Sequence, residues 1–559
     1  MERNAIIATV LVILILLGYQ WYMSRFEVPV QEAPRATTTP PSEQKATAPQ
    51  ASQRLTQPAI TGPGAVTKAY TPTAQLNLPP KDVTVETPLV RIVLSTAGAR
   101  VTSWQLKQYK LNSGERVDLV ADQTPKAAPG ALSAWVDSES LDGTFEIDKQ
   151  HLDLTQPGAS GTLTFRQVTA AGLQVEKRLT FYADRYDVDI DVVARNVAAE
   201  PVAAQPRIAW GPGLRHEQAV HASTIQPPTL WLDGKRVQED VAKLSGEKTV
   251  EGKLSWVALQ DTYFAAAFLP KDADQRAFVA KAPKDQGVVG LLGPKQNLPP
   301  GGELTLKAQL FAGPRDLDVL KAVGQDLDQL IDLGWFDFLA RPALWLLKFL
   351  YHYTGNYGIA IILVTVLQKI AFHPLTVKSM KSMQAMQAVQ PKIQAIQERY
   401  KNNPQKKQEE TMALYRKHGV NPMGGCLPML AQIPIFIALY NALSASVEMW
   451  QAHFLWIRDL TQPDSLFGFT LWGGYTLNLL ALLMGVSMWI QQKMSPTTGD
   501  PRQAQMMLWT MPIIFTFMFW SFPSGLVLYW FVNNILQIGQ QWLINRGPAR
   551  PPASEGQPA

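Results

Sequence analysis

Lys369 stands inside an apolar stretch, residues 357–373 (YGIAIILVTVLQKIAFH), in which no acidic residue neutralises it. An ammonium at the centre of a membrane helix costs roughly 2.5–3.5 kcal/mol on insertion scales, so a functional reading is the default. At ~1.5 Å per residue it lies roughly 18 Å along a helix from Tyr357. Two readings fit. The lysine snorkels to the near interface, where His373 and Lys378 follow. Alternatively it presents a cation suited to an anion or an acidic peptide segment. Other polar side chains interrupt the apolar segments as well. Thr365 and Gln368 flank Lys369, Gln432 lies in the next segment, and Asn533, Asn534, Gln537, Gln540 and Gln541 recur along the last. Singly, each is a helix–helix hydrogen bond. Together with a cation they describe a hydrated concavity, because polar groups at membrane depth face protein or water.

Other chemistries are missing from the pattern. Cys426 is the only cysteine, which excludes an intramolecular disulfide, and its apolar Gly-Gly-Cys-Leu-Pro setting suits a buried thiol. The seven histidines are scattered without HExxH spacing, so no metal site is expected. His151, His216 and His221 lie near acids and read as surface or hydrogen-bonded structural histidines. No GxxxxGK[ST] loop is present to hold a nucleotide, and no cofactor is expected. A net charge of +5, without aromatic interleaving or a nucleic-acid motif, argues against sequence-specific nucleic-acid binding. The five apolar segments after residue 356 contain no internal Asp or Glu, hence no obvious proton relay, and no inverted repeat is visible.

A chain of 559 residues is too long for one domain. Residues 1–26 form a transmembrane anchor whose apolar run ends in Tyr19, Trp21 and Tyr22. A cleaved signal peptide is the competing reading, but Gln20-Trp21-Tyr22-Met23 follows where small residues belong. Residues 27–80, rich in Pro, Thr and Ala, cannot bury a core and read as a disordered tether. From 81 to 329 the pattern has period two between Gly, Pro and Asp turns, and Tyr186-Asp-Val-Asp-Ile-Asp-Val-Val alternates almost strictly. That is the signature of a large antiparallel β-sandwich, with half-buried strands. Residues 330–353 mix Trp and Phe with Asp332, Asp337, Arg341 and Lys348, which suits an amphipathic helix in the headgroup layer.

The part from 354 to 546 holds spans at about 357–376, 423–446, 471–492, 506–521 and 525–544, about six with the anchor. Between the first two lies a basic helical hairpin, 377–420, and the chain ends in a short tail, 547–559. Asn403-Pro404 opens the second hairpin helix, and Gly419 with Pro422 closes it. The hairpin carries a run of Lys and Arg, whereas the loop around 448–469 offers only Arg458. The positive-inside rule therefore puts the hairpin and both termini in the cytoplasm and the β domain outside, the periplasm of a two-membrane bacterium. Met380, Met383 and Met386 recur on one face of the first hairpin helix with Val389, Ile393 and Ile396. That stripe is either an adaptable surface for apolar clients or the seam between the two hairpin helices.

The run Asn421-Pro-Met-Gly-Gly-Cys-Leu-Pro-Met-Leu-Ala-Gln-Ile-Pro-Ile-Phe-Ile-Ala-Leu-Tyr440 closely resembles the signature of the YidC/Oxa/Alb insertase family. So do Pro374-Leu-Thr, Gln390-Pro-Lys-Ile-Gln, Gln492-Lys-Met-Ser-Pro-Thr and Phe522-Pro-Ser-Gly-Leu-Val-Leu-Tyr529, in family order. The anchor, tether and β domain resemble the Gram-negative form. The resemblance implies a multi-domain α-helical membrane protein: a five-helix conserved core plus the N-terminal anchor helix. It adds a periplasmic antiparallel β-supersandwich similar to galactose mutarotases. It implies an insertase and chaperone of the bacterial inner membrane, without covalent catalysis, with a groove open to cytoplasm and lipid. The implied groove positions are Lys369, Thr365, Gln368, Gln432, Phe436, Tyr529, Trp530 and Asn534. Lys369 stands where the family often has arginine, keeping the charge without the bidentate fork, and Trp530 stands where a second tyrosine is common. Met380, Met383, Met386, Lys392 and Arg399 are the implied hairpin contacts for clients or the ribosome. The implied partners are nascent inner-membrane proteins, the Sec translocon with its accessory subunits, the ribosome and membrane lipid. Two rival classes remain: a transporter or channel, and an anchored periplasmic sugar-processing enzyme.

Overall fold

The computed structural model describes residues 79–111, 113–120, 130–136, 139–214, 226–418, 427–466, 477–494 and 501–546. The expected anchor (1–26), nearly all of the tether, the 547–559 tail, His216, His221 and Cys426 lie outside the described residues.

Period-two patterning builds the N-terminal part. Strand Leu173–Tyr182 buries every second residue, including Val175, Leu179 and Phe181. It pairs antiparallel with Asp187–Asn196, from Leu173 opposite Asn196 to Thr180 opposite Asp189. That strand pairs in turn with Glu303–Pro314. These three form the middle of a nine-stranded sheet, accompanied by sheets of six, five and two strands. The named strand pairs are antiparallel except Asp82–Glu86, which runs parallel to His151–Asp153. The half-buried alternation expected from Tyr186 onward holds only from Val188 to Val192, and Tyr186, Asp187 and Val188 are all buried. Val192, Val193 and Ala194 are buried in succession, since a central strand has cover on both faces. Trp104, Trp210 and Trp256 fill the interior, with the first two edge to face at 5.9 Å.

One inward position of Leu173–Tyr182 is not apolar. Lys177 is fully buried, and its Nζ donates to the carbonyls of Ala99, at 2.7 Å, and of Leu132. Burial pushes its pKa down to about 7, because two neutral carbonyls stabilise the charge less than water does.

Past the last strand the chain turns helical. Asp316 caps α1 (Leu317–Val323) by accepting from the backbone N–H groups of Asp318 and Val319. The single helix expected over 330–353 is not continuous. Two 3-10 turns, Leu327–Leu330 and Gly334–Phe336, precede α2 (Asp337–Thr354). Gly334 has φ of +70°, a left-handed conformation that stops a helix running through it. The helix α3 (Tyr357–Arg399), capped by Asn356, departs from expectation in the opposite sense. No break separates the first span from the hairpin at 377. Pro374 and Pro391 each remove one backbone bond, but no glycine stop accompanies them, and the helix continues for 43 residues. It is therefore about 65 Å long, twice the ~30 Å of a hydrocarbon layer.

The helix α4 (Pro404–Lys417) folds back on α3, where Met386, Val389 and Ile393 pack with Leu414 and Tyr415. Then follow α5 (Leu427–Ala445), α6 (Leu479–Met494), α7 (Pro501–Phe519) and α8 (Ser524–Arg546). Among the described residues α3 is long and apolar enough to cross a membrane, and shorter apolar stretches lie at Ala431–Ala445 and Gln505–Phe519. The segment 446–466 after α5 caps the ends of several helices. Asp464 accepts from the Leu480 N–H near the start of α6, and Ser524 Oγ at the start of α8 donates to the Asp459 carbonyl at 2.9 Å. Gly358 in the first turn of α3 meets the Phe454 ring so closely that a Cβ there would stand 2.2 Å from it.

The buried lysine gives a test. Between pH 7 and about 10.5 the unfolded chain binds a proton at Lys177 that the folded chain does not, so its contribution to stability rises with pH. The melting temperature of Lys177→Met is expected to exceed that of the parent most near pH 7, with the difference shrinking towards pH 10. A difference independent of pH would contradict this assignment.

Candidate functional site

Five helices, α3, α5, α6, α7 and α8, enclose a cavity of about 540 Å³. Its polar lining includes Asn534, Gln537 and Gln541 of α8, which recur at steps of three and four, Gln368, Lys369 and Gln384 of α3, Gln432 of α5 and Gln491 of α6. Lys369 Nζ donates to Gln537 Oε1 at 2.8 Å. Among the described residues that line the cavity none is acidic, so there the ammonium is hydrogen-bonded without a carboxylate to neutralise it. A carboxamide supplies a dipole where a carboxylate would supply a charge, and the field of the cation persists in the cavity.

A second chain of bonds ties three helices together. Gln368 Nε2 on α3 donates to Gln432 Oε1 on α5 at 3.2 Å, and Gln432 Nε2 donates to the Tyr529 hydroxyl on α8. Above it lies an aromatic cluster. Trp530 meets Phe436 edge to face at 4.9 Å and packs against Phe519 at 5.3 Å. Asn534 Nδ2 donates to Ser487 Oγ of α6 at 3.1 Å, and Gln541 Nε2 to the Met494 carbonyl at 2.6 Å.

Of the eight groove residues named from sequence, Lys369, Gln368, Gln432, Phe436, Trp530 and Asn534 line the cavity. Thr365 and Tyr529 do not. Thr365 is fully buried and its hydroxyl donates to the Ile361 carbonyl of its own helix, while Tyr529 is buried behind Gln432. The methionine stripe divides: Met380 and Met383 line the cavity, and Met386 is buried in the hairpin seam. Lys392 and Arg399 are exposed on the hairpin, the first 3.3 Å from His418 Nε2 and the second near the Tyr400 ring. Sequence reasoning placed Gln537 on the polar face of the last segment but did not pair it with Lys369. It also passed over Ser487, a lone polar residue in an apolar run, Gln491 at the polar end of the same helix, and Phe515, which apolar neighbours hide.

Comparison with known proteins gives this geometry a family. The family described as "60Kd inner membrane protein" matches residues 349–550, and "YidC periplasmic domain" matches residues 82–346. A "Membrane protein insertase YidC" from Geobacter metallireducens is 38% identical over 563 residues, covering 98% of this chain and 99% of its own. A protein of the same name from Syntrophus aciditrophicus is 38% identical over 481 residues, 83% of this chain and 85% of its own. The chain belongs to the YidC family of membrane protein insertases. The family's place is the inner membrane and its work is insertion, which is not an enzymatic reaction. A solved structure described as an active YidC insertase with the first transmembrane domain resolved is also similar. It is 20% identical, covers 82% of this chain and 92% of its own, and has a TM-score of 0.35.

The hydrogen-bond chain predicts an energetic contrast. Gln432→Leu strips a partner from both Gln368 and Tyr529 and is expected to destabilise the detergent-solubilised protein by about 1–3 kcal/mol. Thr365→Val removes only a bond within one helix and is expected to cost less than about 1 kcal/mol. Thermal unfolding of the two variants against the parent measures the difference.

Proposed function

We propose that the chain inserts and folds integral inner-membrane proteins, alone or with the Sec translocon, through a hydrophilic groove open to cytoplasm and lipid. The observation that carries this reading is the un-neutralised Lys369 ammonium, set among carboxamides in a cavity between five helices. An incoming protein's polar tail would otherwise cross about 30 Å of hydrocarbon unaided. A hydrated half-channel shortens that path, and the Lys369 field draws acidic tail residues into it. The apolar part of the client then leaves between α5 and α7 into lipid, driven by its own hydrophobicity. Side chains exposed on those two helices, Ile433, Trp509, Ile513 and Phe517, supply the apolar exit.

The orientation follows from charge. The basic hairpin and both termini face the cytoplasm, and the β domain faces the periplasm. The 65 Å reach of α3 (about twice the bilayer core) carries the hairpin well into the cytoplasm. There Lys392 and Arg399 meet the ribosome, and Met380 with Met383 greets apolar clients at the cavity mouth. On α2, Trp345, Phe349 and Tyr353 are exposed along one side and rest in the headgroup layer.

Complementation of a depleted strain tests the groove. Lys369→Arg is expected to insert a small acidic-tailed membrane protein at close to the parental rate. Lys369→Ala is expected to fail with that client while retaining activity on a neutral-tailed one. Parental insertion of the acidic-tailed client by Lys369→Ala would refute the role of the cation.

A further inference from the structure

Lys369 is one of two polar side chains that tie α3 to α8. One turn nearer the hairpin, His373 Nδ1 and Gln540 Nε2 lie 2.8 Å apart. The Lys369–Gln537 bond has the same length, 2.8 Å. The two rungs repeat because residues four apart on α3 and three apart on α8 fall on one face of each helix. The same repeat sets His373 among the cavity-lining residues of α3, with Lys369 four before it, Thr376 three after and Met380 seven after. His373 itself is exposed. With Gln540 donating, Nδ1 accepts and the ring proton stays on Nε2, which has no partner among the described residues. That N–H is available to a carboxylate.

The five cavity helices hold almost no acid that could take that place. α5 carries no charged residue, α6 only Lys493, α7 only Arg502 and α8 only Arg546. The one carboxylate of α3 is Glu398, about 38 Å along the helix from His373. Lys369 and His373 are therefore two donors on one wall, about 6 Å apart along the helix axis. An extended chain brings residues i and i+2 to the same side about 6.6 Å apart, whereas adjacent residues point to opposite sides. A helical segment would place i and i+4 at a similar spacing. With its side chains, however, a helix is about 10–12 Å across, so a cavity of about 540 Å³ would hold only about one turn. The extended segment is the slimmer occupant.

We propose that His373 is a specificity-determining residue: with Lys369 it forms a two-point receptor for an extended client segment whose acidic residues stand two apart, as in Asp-x-Asp. Lys369 takes one carboxylate by charge, and His373 takes the other through its Nε2–H. Gln537 and Gln540 hold the two side chains in step from α8. Two adjacent acids carry the same charge but present only one carboxylate to this wall. The receptor rests on the reading of the Lys369 cavity as the client groove, and it adds a spacing rule that the cation alone does not impose.

Two fluorescent peptides of equal composition test the rule on the full chain in lipid nanodiscs. One carries Asp-Ser-Asp and the other Asp-Asp-Ser, each within the same neutral sequence. The parent is expected to bind the first severalfold more tightly. His373→Ala is expected to bind both alike, near the parent's affinity for the second, while His373→Lys, which keeps a donor there, retains the preference. His373 is exposed, so its replacement leaves no hole in the core. Equal binding of the two peptides by the parent, or an undiminished preference in His373→Ala, would overturn the receptor. The same two segments, carried as the tail of a small client into proteoliposomes, separate this receptor from the groove reading. A preference in binding that depends on His373, with equal insertion rates, would uphold the receptor and count against the groove as the route of insertion. Insertion that depends on Lys369 but ignores the spacing, together with equal binding, would overturn the receptor and leave the groove reading in place.

Discussion

An ammonium inside a helical bundle has to find oxygen, and in this chain it finds an amide oxygen. The Lys369–Gln537 bond at 2.8 Å meets the hydrogen-bonding demand of the cation and leaves its charge standing. An acid at the same place would meet both, and the cavity would then present nothing to an acidic segment. On the proposed reading, a carboxamide in place of a carboxylate leaves the cation available to an acidic segment. It also imposes conditions on the helices around it. α8 must turn Asn534, Gln537 and Gln541 inward while Ile535 and Leu543 stay exposed on the apolar side. α5 must bring Gln432 within reach of α3 and α8 together.

The polar network and the aromatic cluster divide that work. Gln432 spends its oxygen on Gln368 and its nitrogen on Tyr529, so its placement fixes the spacing of three helices. Phe436, Phe519 and Trp530 pack directly beside it and supply area where hydrogen bonds supply direction. The unbroken α3 extends this arrangement out of the bundle. Lys369, Met380 and Met383 all line the cavity from one unbroken helix that runs on into the hairpin.

Much of this was legible in the sequence, and what was not has a physical reason. Alternation marked the strands because a sheet with one wet face enforces it. It overstated the exposure of Asp187–Asn196, since the number of strands flanking it is a tertiary fact. The polar positions of α3 and α8 stood out against apolar neighbours. Their pairing did not, because residues 369 and 537 are brought together only by helix packing. Thr365 shares a face of α3 with Lys369, but one turn nearer the capped end it is fully buried against neighbouring helices, and its hydroxyl is spent on the Ile361 carbonyl. Pro374 lies inside α3 without ending it, because one missing N–H without a left-handed stop is too little. The acids of 446–466 lay in a loop, where local pattern says nothing about partners far away in the chain.

Three buried or half-buried lysines show how one residue type is put to three uses. Lys177 is surrounded by backbone carbonyls alone, and burial lowers its pKa to about 7, so its charge is weakly held. Lys348 faces three carboxylates and keeps its proton firmly. That is the condition for a fastening: the attraction is spent within the molecule and nothing remains for a passing ligand. Lys369 sits between these cases, bonded but not neutralised. An over-neutralised lysine suits a joint, because removing it leaves several acids unmatched. An un-neutralised one suits a site, because its attraction is satisfied only when something acidic arrives and lapses when it departs.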